Sequence, residues 1–254
     1  MVFGTIRYSN LYQGENLLNN RSWIIFAAAT LGLLTALVLY SGGSRLDVSK
    51  INQNLIQTAN SQNGNIGDHV SGKIDSPVTL IEYGDYQCPA CGKYYPQIKL
   101  VTDEYKDQLQ FVFRNFPITT AHANAKAAAG AAEAAGLQGK YWEMHDKIYL
   151  AQSNWSELSG SSRTNYFADA AKQLGLDLTK FNADLAGTTN STSINMKIDF
   201  DYALGKQAGV DSTPSFFLNG TKLEATTWSD SAKLKTAIND ALNTAGIALP
   251  NTAN

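Results

Sequence analysis

The chain has 254 residues, enough for one sizeable domain with appendages. Its 20 Lys and Arg against 22 Asp and Glu leave a formal charge of -2, which argues against a nucleic-acid binder. Two cysteines are too few to staple a fold, so a hydrophobic core must hold it and both thiols are free for chemistry.

Residues 1–21 read as a short polar tail. Trp23 to Tyr40 is an uncharged run, and residues 22–40 are expected to form a transmembrane anchor. As a helix the run reaches roughly 27 Å, enough to span a bilayer with Trp23 and Tyr40 at the interfaces. A buried core helix and a cleaved signal peptide are the competing readings. The first is disfavoured because the run is apolar all round, the second because only Ser41-Gly42-Gly43-Ser44 follows where an Ala-x-Ala-like site would stand. Arg7 and Arg21 before the run balance Arg45 and Lys50 after it, so charge does not set its orientation.

Residues 41–66 are rich in Ser, Gly, Asn and Gln and read as a polar linker, in which Val48, Ile51, Leu55 and Ile56 could form one short amphipathic helix. The domain is expected over 67–248. His69-Val70 adds an edge strand. Val78 to Tyr83 is a β-branched apolar strand, Gly92 to Tyr105 a helix, and Leu109 to Phe116 a second strand stopped by Pro117. Strand, helix, strand is the βαβ opening of an α/β fold.

The pattern then turns helical over about 121–209. The alanine-dominated stretch 121–137 is followed by helices over 141–151, 166–174, 178–185 and 194–209. This block is a helical insertion. The sheet resumes with Ser215 to Leu218, a two-residue Asn219-Gly220 turn and Thr221 to Leu223. A last helix over 229–245 is capped by Ser229 or Asp230.

Cys88 and Cys91 stand three residues apart where the first strand gives way to the first helix. That spacing lets the two sulfurs bond within one turn, and a helix N-terminus stabilises a thiolate on the first. Half of a zinc site is the competing reading, but His69, His122 and His145 are scattered and no second Cys pair exists. An inert disulfide is another, although a bridge closing so short a loop stabilises little.

The order strand, Cys-Pro-x-Cys at a helix start, strand, helical insert, Thr-Pro, hairpin and helix resembles the DsbA-like branch of the thioredoxin superfamily, of the membrane-anchored bacterial kind. The resemblance runs from about Asp68 to Ala245. It rests on the stretches 82–91, 113–117, 139–145 and 210–220. It implies a thioredoxin-like α/β fold with a helical insertion between the βαβ and ββα halves. Cys88 would be the exposed nucleophile and Cys91 the buried resolving thiol, with Pro89 and Ala90 between them. Pro214 would be the family's cis-proline against the disulfide, and Thr213 would offer its backbone to an extended substrate. Glu82 matches the position of a buried acid that exchanges protons with Cys91; a solvent-facing strand residue is its alternative. Asp85 is expected to brace the loop, and His145 to be a core histidine.

The function implied is a membrane-tethered thiol–disulfide oxidoreductase, a dithiol oxidase acting on unfolded or thiol-containing secreted proteins. A membrane redox partner would reoxidise it, and no cofactor, metal or nucleic acid is expected. The domain is placed on the extracytoplasmic side because a redox-active pair suits an oxidising compartment. A reductase or isomerase, a redox-silent peptide-binding chaperone and a structural metal module are the alternatives. Ala90 stands where strong oxidants of the family often carry histidine, which implies a reduction potential of intermediate value.

Overall fold

The computed structural model describes residues 23–32, 46–186 and 193–250. Contacts divide the chain into two units, 1–45 and 46–254. In the first, residues 23–32 are helical and expose Trp23, Ile24, Ile25, Phe26 and Leu31. Among the described residues no helix is long and apolar enough to cross a membrane. The rest of the expected 22–40 anchor lies outside the described residues.

The second unit holds a five-stranded sheet in the order β1-β3-β2-β4-β5. Its strands are β1 (Val70–Gly72), β2 (Thr79–Gly84), β3 (Gln110–Asn115), β4 (Ser215–Leu218) and β5 (Thr221–Lys222). β2 and β3 run parallel, joined by α1 (Pro89–Glu104), and the remaining pairings are antiparallel. The insertion comprises α2 (Ala125–Gly136), α3 (Tyr141–Leu150), α4 (Gln152–Trp155), α5 (Gly160–Gln173), α6 (Leu178–Ala186) and α7 (Ser193–Gln207). Two helices close the domain, α8 (Ala225–Trp228) and α9 (Ser231–Thr244), with Asp230 accepting from the amides of Ala232 and Lys233 as N-cap. This is the thioredoxin-like fold with a helical insertion that the resemblance implied.

The pleat assigns each side chain of β2 to a face. Leu80 joins Phe111, Phe216 and Leu218 against Ile98 and Val101 of α1 and Leu234, Ile238 and Leu242 of α9. Ile81 and Tyr83 turn the other way, against Phe200 and Leu204 of α7 and against Val48. The alanines of α2 other than the half-buried Ala127 are buried, which lets the insertion helices pack closely into a third cluster with Cys91, Met144, Trp155 and Phe167.

Residues 46–66 differ from the expected tether. From Leu46 onward they belong to the compact second unit. They follow turns rather than an amphipathic helix, with a single 3-10 turn at Ser61–Asn63 that Asn60 caps. The cause is Arg114, fully buried on β3. Its guanidinium pairs with Asp68 at 2.7 Å and donates to the backbone carbonyls of Gln53 and Leu55 and to the Tyr83 hydroxyl. Lys197 of α7 bridges Asp68 at 3.0 Å and Asp201 at 2.6 Å. Asn115 links Asp201 to Glu133, which His69 pairs at 2.9 Å. Burial alone would raise the Asp68 carboxyl, but Lys197 and Arg114 hold it well below the usual carboxylate range. Asp201, buried and facing Asp68 and Glu133, is pushed up to about 6 despite Lys197. Arg114, Lys197, Asp68 and Asp201 each face an opposite partner, the condition under which buried ions are tolerated.

Candidate active site

β2 delivers the chain to the site and α1 receives it. Cys88 is the N-cap residue of α1, in extended conformation, and Pro89 follows at the first helical position, where a missing N–H costs nothing. The free amides at the start of a 16-residue helix therefore face the Cys88 sulfur. Both cysteines are free thiols, Cys88 at 7% exposure and Cys91 at 2%.

Thr213 and Pro214, 125 residues along the chain, close the other side. Their peptide bond is cis, and the Cys88 thiol points at the Thr213 carbonyl oxygen at 3.4 Å. Pro214 is buried just before β4. The structure thus brings together Cys88, Cys91, Thr213 and Pro214, as the motif order implied, with Pro89 exposed and Ala90 half-buried between the sulfurs.

The two thiols are electrostatically unlike. The Cys91 thiol donates to the Cys88 sulfur, and with the Thr213 side chain and the amides of Cys91 and Ala90 it draws the Cys88 pKa down to about 5 against the opposing effect of burial. Burial pushes the Cys91 thiol well up, and the neighbouring Cys88 and Glu82 charges add to the shift. At neutral pH the site holds one thiolate and one thiol.

Glu82 is buried at 6% exposure, not solvent-facing. It sits in register between Phe113 of β3 and Phe216 of β4 and makes no ion pair with a described residue. Burial, then the Cys88 charge, raise its carboxyl to about 8, so at pH 7 it is largely protonated.

The active-site turn is braced from the insertion. The Asp85 carboxylate accepts from the amides of Gln87 and Ile118, each at 2.8 Å, and meets His122 Nδ1 at 2.7 Å. The expected bracing role of Asp85 is therefore its geometry. Gln152 of α4 donates to the carbonyls of Tyr86 (2.7 Å) and Cys88 (2.9 Å). Its amide occupies the space a side chain on Gly92 would need, so glycine there lets α4 approach α1. Gln87 donates to Ser156 O and accepts from the Asn124 amide. Gln152 and Asn124 carried no sequence signal, because single polar residues between helices look the same whether they hold a loop or face water. Among the described residues no group of three or more His, Cys, Asp or Glu side chains is placed to hold a metal ion.

A thioredoxin family model matches residues 64–240, which takes in β1 to β5 and the cysteine pair. The chain belongs to the thioredoxin family. Three solved structures share the fold. The thioredoxin-like oxidoreductase of Silicibacter pomeroyi is 25% identical, with a TM-score of 0.56 over 69% of this chain and 92% of that one. BdbD of Bacillus subtilis is 22% identical, with a TM-score of 0.59 over 76% of this chain and all of that one (100%). The alpha-DsbA1 of Wolbachia pipientis is 21% identical, with a TM-score of 0.60 over 70% of this chain and 92% of that one. In sequence the chain is 37% identical over 155 residues to a Na+/H+ antiporter, NhaA 1, of Salinispora arenicola. That match covers 61% of this chain and 22% of the antiporter, so the thioredoxin-family chain spans about a fifth of the length of such relatives.

Proposed function

We propose that this chain is a membrane-tethered thiol–disulfide oxidoreductase that works as a dithiol oxidase on extracytoplasmic proteins. The observation that carries the reading is the asymmetry of the thiol pair: Cys88 a stabilised thiolate at the start of α1, Cys91 a buried thiol behind it.

In the oxidised enzyme a substrate thiolate attacks the Cys88 sulfur, the Cys88–Cys91 bond breaks and Cys91 leaves with the electron pair. Its thiolate is protonated by the Glu82 carboxyl. A second substrate thiolate attacks the substrate sulfur of the mixed disulfide, Cys88 leaves as a thiolate and the substrate carries away the new disulfide. A low Cys88 pKa favours this direction because a stable thiolate is a good leaving group. Thr213 lines the approach to Cys88, where its backbone can pair with an extended substrate.

Substrates are unfolded or thiol-containing secreted chains, and a membrane redox partner reoxidises the reduced pair. The uncharged Trp23 to Tyr40 run supports tethering, as does the all-round exposure of apolar side chains on helix 23–32. A cell-membrane location with the domain outside follows from the need for an oxidising compartment.

Variants of the two cysteines test the chemistry. Cys91→Ser is expected to accumulate mixed disulfides with client proteins on non-reducing gels, and Cys88→Ser to trap none. If neither variant traps a client and the native protein fails to oxidise a reduced dithiol peptide, the fold serves peptide binding without redox chemistry.

A further inference from the structure

The amides of Ala90 and Cys91 stabilise a Cys88 thiolate only while the turn that carries them stays in place. That turn is held from α4, 64 residues along the chain. The Gln152 side-chain amide donates to the Tyr86 carbonyl at 2.7 Å and to the Cys88 carbonyl at 2.9 Å. An amide NH2 has two hydrogens, and these carbonyls take both. The Cys88 carbonyl also accepts from the Gly92 amide at 3.1 Å, the bond that opens α1. One side chain thus ties the approach to the turn and the first bond of the helix to the same point.

A side chain positions a reacting group well only when its own base is locked. Trp155, three residues on, is fully buried in the core of the insertion and donates its indole N–H to the Ile148 carbonyl at 2.9 Å. Asn124 donates to the carbonyls of Ser156 at 2.8 Å and Leu158 at 2.7 Å, just after α4. The far end of Gln152 is seated as closely. A Cβ on Gly92 would lie 2.4 Å from Gln152 Oε1, 2.7 Å from its Cδ and 2.9 Å from its Nε2. Gly92 stands inside α1, where alanine is the better helix former, and its φ is not left-handed. What glycine supplies at this position is room for the Gln152 amide.

We propose that Gln152 is a positioning residue for the thiol–disulfide chemistry, seated on α1 by the missing side chain of Gly92, and that through it the helical insertion sets how well Cys88 serves as a leaving thiolate. Gln152 carries no charge and acts through the backbone it holds, a role that rests on the oxidoreductase reading above. Without its two hydrogen bonds the Tyr86 and Cys88 carbonyls lose this donor, and the turn loses the restraint that keeps the Ala90 and Cys91 amides on the sulfur.

Two substitutions break the contact from opposite ends. Gln152→Met keeps the length of the side chain and removes its donors. Gly92→Ala displaces the amide while placing a better helix former in α1. The readout is the pH dependence of Cys88 alkylation in the reduced full-length protein, with equilibration against glutathione and a denaturant titration beside it. The native midpoint is expected near pH 5. Each variant is expected to raise it by about one unit, the scale of a helix-terminus contribution. The glutathione equilibrium is expected to move about tenfold toward the oxidised enzyme, or about 30 mV. The double variant is expected to shift no further than either single one, because both remove the same contact. Gly92→Ala is expected to be at least as stable as the native protein, so that its shift is not that of a loosened fold. A native midpoint in either variant, shifts that add in the double variant, or a shift in Gly92→Ala that comes only with lost stability would overturn the proposal. Alkylation needs no client, so these outcomes leave the oxidoreductase reading intact, and failed client trapping would leave the positioning result intact.

Discussion

Cys88 and Glu82 titrate on opposite sides of neutrality, and each gives a measurable consequence. Alkylation of Cys88 by a small thiol reagent follows the thiolate fraction. Its rate in the reduced protein is expected to rise with a midpoint near pH 5, where the thiolate forms. A midpoint at the ordinary thiol value would remove the electrostatic basis of the site. Glu82 acts on stability with the reverse sign. An unfolded carboxyl titrates at about 4.3, and this one at about 8 when folded. Between those values the folded state holds the extra proton, so stability is greatest below the unfolded pKa and falls as pH rises through the folded one. Glu82→Gln removes this loss. The variant is expected to be more stable than the native protein at pH 8, by on the order of 4 kcal/mol, with the gap closing toward pH 4 in denaturant titrations. The strand pattern alone did not decide between the two expectations for Glu82, the buried acid that the resemblance implied and a solvent-facing residue. β2 is a central strand covered on both faces, so its run lacks the alternation that would show which residues turn inward. Cys88 and Pro214 were legible, because their residue types and order in the chain carry the chemistry.

At the scale of elements, the strands and the long helices followed from period and punctuation. The expected strand 215–218 matches β4, and Asp230 caps α9 as its position before a helical run suggested. One-turn elements did not show. α4 and α8 have four residues each, too few to display a helical period, yet α4 carries the glutamine that holds the active-site turn. The segment 46–66 misled for a different reason. Its composition is that of a tether, but it is held through backbone carbonyls that accept from Arg114, and composition does not record which carbonyls are bound. Removing that guanidinium leaves Asp68 and Asp201 to share the single buried cation Lys197. Arg114→Leu is therefore expected to cost about 3–5 kcal/mol in chemical denaturation. It should also expose residues 50–57 to limited proteolysis. A variant as stable and as resistant as the native protein would mean that the segment is held by other contacts.

At the scale of the molecule, the helical insertion does more than cover the sheet. Asn124, Gln152 and Asp85 tie the cysteine turn to elements on both sides of it, so the position of Cys88 is fixed by the whole domain. What the fold leaves adjustable is the stability of the thiolate. Ala90 adds neither charge nor side-chain donor beside Cys88, and the stabilisation comes from Cys91, Thr213 and the helix amides. A Cys88 pKa of about 5 lies between the values of about 3.5 and about 7 that accompany strongly oxidising and reducing pairs of this fold. The reduction potential should follow, because a stabilised thiolate favours the reduced enzyme. The measurement that tests the account most directly is equilibration of the Cys88–Cys91 pair against glutathione. A potential between about -120 mV and about -270 mV is expected. A value at or below the lower figure would contradict it and make the protein a reductase.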